Sequence, residues 1–241
     1  FRMPCILALA FLLTACAAKK TELYEQMTKI DAHVHIRNSD PAIMEFARSE
    51  GFKLLRINTR SNRQEYIDEK RAYAMNMKDR YPGDISWLAT FSMEDFEEPG
   101  WAEGVIEKLQ TDLDQGASGF KVWKDIGMTF RDSLGNFVFL DDPLFVPVLE
   151  FMQASGKPLL AHIGEPRNCW LPVDSMTVNG DKSYFTNNPQ YHMYLHPDYP
   201  SHERLMESRD HVLAQYPDLK LVGAHLGSLE WDVDVLAGRL D

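Results

Sequence analysis

The sequence predicts an α/β protein built on a parallel sheet, and three observations carry that reading. Six short runs of strand-forming residues alternate with longer helical or irregular stretches. Several of the runs are apolar almost throughout, as parallel strands covered on both faces should be. Glycines stand just past three of the helical stretches, where a left-handed cap is wanted.

The first strand-type run, residues 29–36, leads to an amphipathic stretch over 41–50 that stops at Gly51. The second, 53–58, leads to a helical stretch over 63–81, and the third, 85–91, to one over 101–115 that stops at Gly116. The fourth run, 117–123, precedes a helix over 142–155, which Asp142-Pro143 opens and Gly156 closes. The fifth run is 158–163; after a long irregular stretch comes a helix over 202–216 and the sixth run, 220–226. Six such units fit either a doubly wound sheet or an incomplete eight-unit barrel. A doubly wound nucleotide binder would carry a Gly-rich loop after its first strand. Here the first strand runs into histidines instead, so residues 28–241 are expected to form a TIM-type (β/α)8 barrel with about six units present. The stretch 165–200 shows no convincing helix or strand. Its aromatics (Trp170, Tyr184, Phe185, Tyr191, Tyr194) argue against disorder, and it is expected to be a lid.

Composition narrows the function. With 241 residues, 44% hydrophobic and 25% charged, the chain is neither disordered nor fibrous and is long enough to bury a core. Twenty-five basic against 36 acidic residues give a net charge of −11. No basic patch interleaved with aromatics stands out, so nucleic-acid binding has no support.

The N-terminal segment reads differently. Residues 6–13 are all apolar, too few to span a bilayer, and Thr14-Ala15-Cys16 and Lys19-Lys20 follow. Residues 1–15 are therefore expected to be a signal peptide and 16–27 a tether. Leu13-Thr14-Ala15-Cys16 resembles the lipobox of bacterial lipoproteins, which implies acylation of Cys16. The domain is then expected on a lipid anchor in a bacterial cell envelope, facing periplasm or exterior. Only Cys169 would remain besides Cys16, so no intrachain disulfide framework is expected. The start at Phe1-Arg2, with no Met, is read as N-terminal truncation.

Three strands end in histidine. In Asp31-Ala32-His33-Val34-His35 the two imidazoles are two residues apart and face one side of a strand. The apolar runs Leu159-Leu160-Ala161-His162 and Leu221-Val222-Gly223-Ala224-His225 repeat the pattern. A buried strand that ends in His needs a polar partner for it. All three ends would lie at one rim, the face at which barrel chemistry is done.

His33-Val34-His35, His162 and His225 at these strand ends resemble the amidohydrolase superfamily, and more narrowly its amidohydrolase-related branch of metal-dependent hydrolases and decarboxylases. The resemblance covers about residues 28–241. It implies that His33, His35 and His162 hold a divalent metal, zinc being the expected ion, in a site of one or two ions. It implies that His225 is catalytic, or a ligand of a second metal. Lys121, ending the fourth strand, takes the position at which two-metal members carry a carboxylated lysine; a salt-bridged lysine is the alternative. Lys124 is a candidate contact for a substrate anion and Glu165 for a general acid/base, with Arg167 and Trp170 as candidate pocket residues.

The family pattern also requires an aspartate at the end of strand eight. Asp232, Asp234 and Asp241 follow the sixth strand too closely to be that residue, and two further units would need about 60–80 residues. The chain is therefore read as an incomplete barrel. The expected activity is metal-dependent hydrolysis of a small-molecule amide, ester or lactone. Nonoxidative decarboxylation of a small acid and a non-catalytic surface binding lipoprotein are the alternatives. A metal-dependent phosphoesterase also opens with Asp-x-His-x-His, but it is expected to carry further ligands soon afterwards, and residues 37–160 contain no histidine. The sequence leaves oligomeric state open.

Overall fold

A computed structural model describes residues 24–231, 234, 237 and 238. The signal-peptide stretch, Cys16 and most of the tether lie outside the described residues. Among the described residues six strands form: β1 Lys29–Val34, β2 Phe52–Arg56, β3 Ile85–Trp87, β4 Phe120–Val122, β5 Leu159–Ala161 and β6 Leu221–Gly223. They pair in parallel as β1-β2-β3 and β4-β5-β6. A parallel bridge between Ala89 and Phe120 joins the two sheets, and Lys121 N donates to Ala89 O at 2.7 Å across it. Strand order thus follows chain order, as in successive units of a (β/α) barrel.

The expected helices form as α1 Ala42–Ser49, α2 Gln64–Arg80, α3 Trp101–Asp114 and α4 Val146–Ala154, the last entered through a 3-10 turn at Pro143–Phe145. Gly51, Gly116 and Gly156 all sit at positive φ, the conformation a Cβ would disfavour. The lid departs from expectation, because Asn179–Asn187 is a helix, α5, flanked by short 3-10 turns. Its Asn, Gly, Asp, Ser and Thr are weak helix formers, so propensity did not show it. Tertiary contacts support it: Phe185 is buried, and Asn168 donates to Asp181 at 2.7 Å. The last of the expected helices, α6 His202–Gln215, starts where Ser201 Oγ accepts from Arg204 N at 3.1 Å.

Alternation along the strands sorts side chains to two faces. Phe120, Val122, Leu159 and Ala161 join Leu109, Leu149 and Met152 in a large core beneath α3 and α4. Leu54 packs with Ile36, Met44 and Met77 beneath α1 and α2. The intervening positions meet on the other face, where Ile57, Leu88, Leu160 and Ala224 make a small apolar cluster. Lys121 and His162 share that inner parity with Leu160.

Candidate metal centre

His33 is the next-to-last residue of β1, while His162 and His225 follow β5 and β6. One ring nitrogen from each lies within 4.8 Å of the others. Ring centroids are 4.6 Å apart for His162 and His225, and 5.4 Å for His33 and His225. His35 lies beside this trio, 5.2 Å from His33 and 6.0 Å from Trp123. All four predicted histidines therefore gather, but the tightest group contains His225 where the resemblance implied His35.

His162 and His33 have the electronic state a cation needs. His162 is 4% exposed, and among the described residues neither ring nitrogen has a hydrogen-bond partner. Leaving such a group unpaired costs roughly 1–3 kcal/mol. Burial, then the charges of Lys121 and His225, push its pKa down to about 2. His33 is pushed down to about 4 by burial, then by Lys121, and His35 is lowered for the same two reasons. Neutral imidazoles with free lone pairs suit a borderline divalent ion such as zinc. The residues present fit a metal.

Lys121 is fully buried, and its Nζ also lacks a hydrogen-bond partner among the described residues. Burial pushes its pKa down to about 7, against the pull of Asp125. Trp123 stands between these groups. It packs edge-on to His162 at 4.7 Å, and the ammonium groups of Lys121 and Lys124 lie 5.5 and 5.4 Å from its ring centre.

Beside the histidines opens a cavity of about 610 Å³, whose lining includes His35, Arg37, Arg60, Trp123, Tyr184 and Tyr191. Lys124 and Glu165 also line it and form an ion pair across the lid's root. Asp125 lines it too; it accepts from Ser61 N and Oγ at 2.9 and 2.7 Å, while burial raises its pKa. Arg167 and Trp170 are not in the lining. Arg167 pairs with Glu203 at 3.2 Å and lies over Trp231, and Trp170 donates to Pro200 O at 3.0 Å. The expectation that they line the pocket is corrected: Arg167 ties the stretch 165–200 to α6, and Trp170 bonds within that stretch. Sequence reasoning passed over Arg37, Arg60, Trp123 and Asp125. The last two flank Lys124 directly, which was the one available signal.

His225 owes its place to unusual backbone. His225, Leu226, Gly227 and Ser228 have φ of +53°, +53°, +65° and +62°. A non-glycine residue there is strained by about 1–3 kcal/mol, and three of the four carry side chains. The turn folds back so far that a Cβ on Gly223 would meet Gly227 Cα at 2.6 Å.

Similar solved structures share this fold. A 2,6-dihydroxybenzoate decarboxylase complexed with 2,6-dihydroxybenzoate is 16% identical, with a TM-score of 0.52 over 86% of this chain and 61% of its own. A 2,6-dihydroxybenzoate decarboxylase from Rhizobium is 15% identical, with a TM-score of 0.54 over 88% of this chain and 69% of its own. A protein solved as amidohydrolase II is 14% identical, with a TM-score of 0.52 over 88% of this chain and 71% of its own. The chain thus spans 61% to 71% of their lengths. No curated protein matches the sequence. A family model described as amidohydrolase matches residues 30–236, and with that match, on a sheet that gathers its histidines at the strand ends, the chain belongs to the amidohydrolase family.

Proposed function

We propose that the protein is a metal-dependent hydrolase of a small-molecule amide, ester or lactone. The observation that carries this reading is the convergence of His33, His162 and His225 on one point, with the buried His162 nitrogens unpartnered. These three would hold a divalent ion, zinc by donor chemistry, and Lys121 is the residue for a second. The chemistry supplied by such an ion when bound is acidification of water to near pH 7 and polarisation of a carbonyl oxygen. The chain's own residues do the rest. Arg37 and Arg60 bind an anionic group of the substrate, Trp123 and Tyr191 flank a flat one, and Glu165, paired with Lys124 at the cavity wall, is placed to exchange a proton with the substrate. The lid excludes bulk water, which strengthens each of these interactions.

Decarboxylation of a small aromatic acid is the second reading. It is favoured by the two arginines and the aromatic walls of the cavity, which suit a flat carboxylate. Metal analysis of purified protein, with product analysis on ester, lactone, amide and aromatic-acid panels, decides. Hydrolytic products support the first reading and carbon dioxide release the second. Metal uptake without turnover on any panel sinks both. Acylation of Cys16 and residence in the bacterial envelope belong to the same proposal, supported by the lipobox-like residues 13–16. Labelled palmitate incorporated by the native chain and not by Cys16→Ala is the expected result.

A further inference from the structure

We infer that Arg209 is a positioning residue that clamps the left-handed turn and so aims His225 into the metal centre. Arg209 lies on the buried face of α6, almost fully inaccessible to solvent. Its Nε and Nη2 both donate to Asp210 Oδ1, at 2.9 and 2.7 Å, which fixes the guanidinium plane. That leaves Nη1 to donate to Gly227 O in the middle of the strained turn. A second tie comes from Ser228 Oγ, which donates to Ile163 O at 3.1 Å. Three side-chain-bearing residues in left-handed backbone persist only where their surroundings over-determine them. Arginine suits the task because its planar fork serves two acceptors at once, whereas lysine offers a point charge. Released from Gly227 O, the turn relaxes toward ordinary backbone and carries the His225 ring away from His33 and His162.

The inference rests on the metal reading for its consequence, while the clamp itself is tested without metal. In the full chain, Arg209→Lys is expected to speed amide exchange of Gly227 and Leu229 about tenfold. It should also weaken cobalt(II) binding about tenfold and alter the cobalt absorption spectrum, as loss of an outer-shell support does. The decisive variant adds Leu226→Gly, since glycine takes positive φ without strain. If Arg209 acts by holding the turn, the double variant regains both slow exchange and cobalt affinity. Unchanged exchange in Arg209→Lys overturns the inference. So does a double variant that stays as impaired or as unfolded as the single one, because Arg209 then serves general packing. A parent chain that takes up no cobalt refutes the metal reading alone, and the exchange data still decide the clamp.

Discussion

The middle of the sheet and its flanks are built differently. All six residues of β4 and β5 are buried, with the large core and its helices on the outer face and, at Leu160, the small apolar cluster on the inner one. In β1 and β6 no residue is fully buried, and each of these strands pairs on one side among the described residues. The centre bears on both regions. His162 extends from the middle, where close packing leaves its ring little freedom. His33 and His225 come from the flanks, where local devices must replace packing, the left-handed turn being the clearest.

The largest expected contrast is in stability. Phe120 is fully buried and Ile30 is 64% exposed. Phe120→Ala should cost about 3–5 kcal/mol in denaturant unfolding, and Ile30→Ala no more than about 0.5 kcal/mol. Similar costs at both sites would erase the distinction between middle and flank. Cys169, at the lid's root, belongs with the middle: it is buried, donates to Tyr191 O, and burial pushes its pKa from 9.0 up to about 12. Three pH units remove about a thousandfold of thiolate. A thiol reagent at pH 8 should therefore attack the folded chain about a thousandfold more slowly than the urea-unfolded one. Equal rates would show that the lid's root is open.

The ligand set sharpens the comparison at the centre. His162→Ala and His225→Ala should each weaken zinc binding about a hundredfold. His35→Ala should weaken it about tenfold, as an adjacent group does. Calorimetric titration that ranks His35 above His225 would restore the set implied by family resemblance. The smallest effect is expected between α6 and the loop before α4. Asp141 accepts from His211 at 2.9 Å and from Arg204 at 3.2 Å. Burial pushes its pKa up, but hydrogen bonds with Ser208, His211 and Arg204 outweigh this and hold it below 3.8. A depressed carboxylate pKa contributes stability that is present above the unfolded value and lost as pH falls through the folded one. Asp141→Asn should therefore cost about 1 kcal/mol at pH 7, and parent and variant should converge below about pH 4. A difference that persists at pH 2 would assign Asp141 a role other than its charge.

Much of this was legible in the residues alone. Apolar runs, glycine caps and helix spacing place the six strands and the helices α1–α4 and α6 to within a few residues, because these signals are local. The lid helix escaped because Phe185 and the Asn168–Asp181 bond hold it, and both are tertiary. Arg167 and Trp170 were expected to line the pocket because they are near His162 in sequence, yet the chain turns them toward Glu203 and Pro200.

By itself the sequence determined that this is a parallel α/β chain whose strands end in histidine, since the two-residue period and the apolar runs leave little choice of face. Tertiary structure alone decided which histidines meet. The distance between strand ends depends on sheet curvature and on the backbone after each strand, and residues far apart in sequence set both. At His225 that backbone is left-handed, held by an arginine on another element, and no periodicity encodes it.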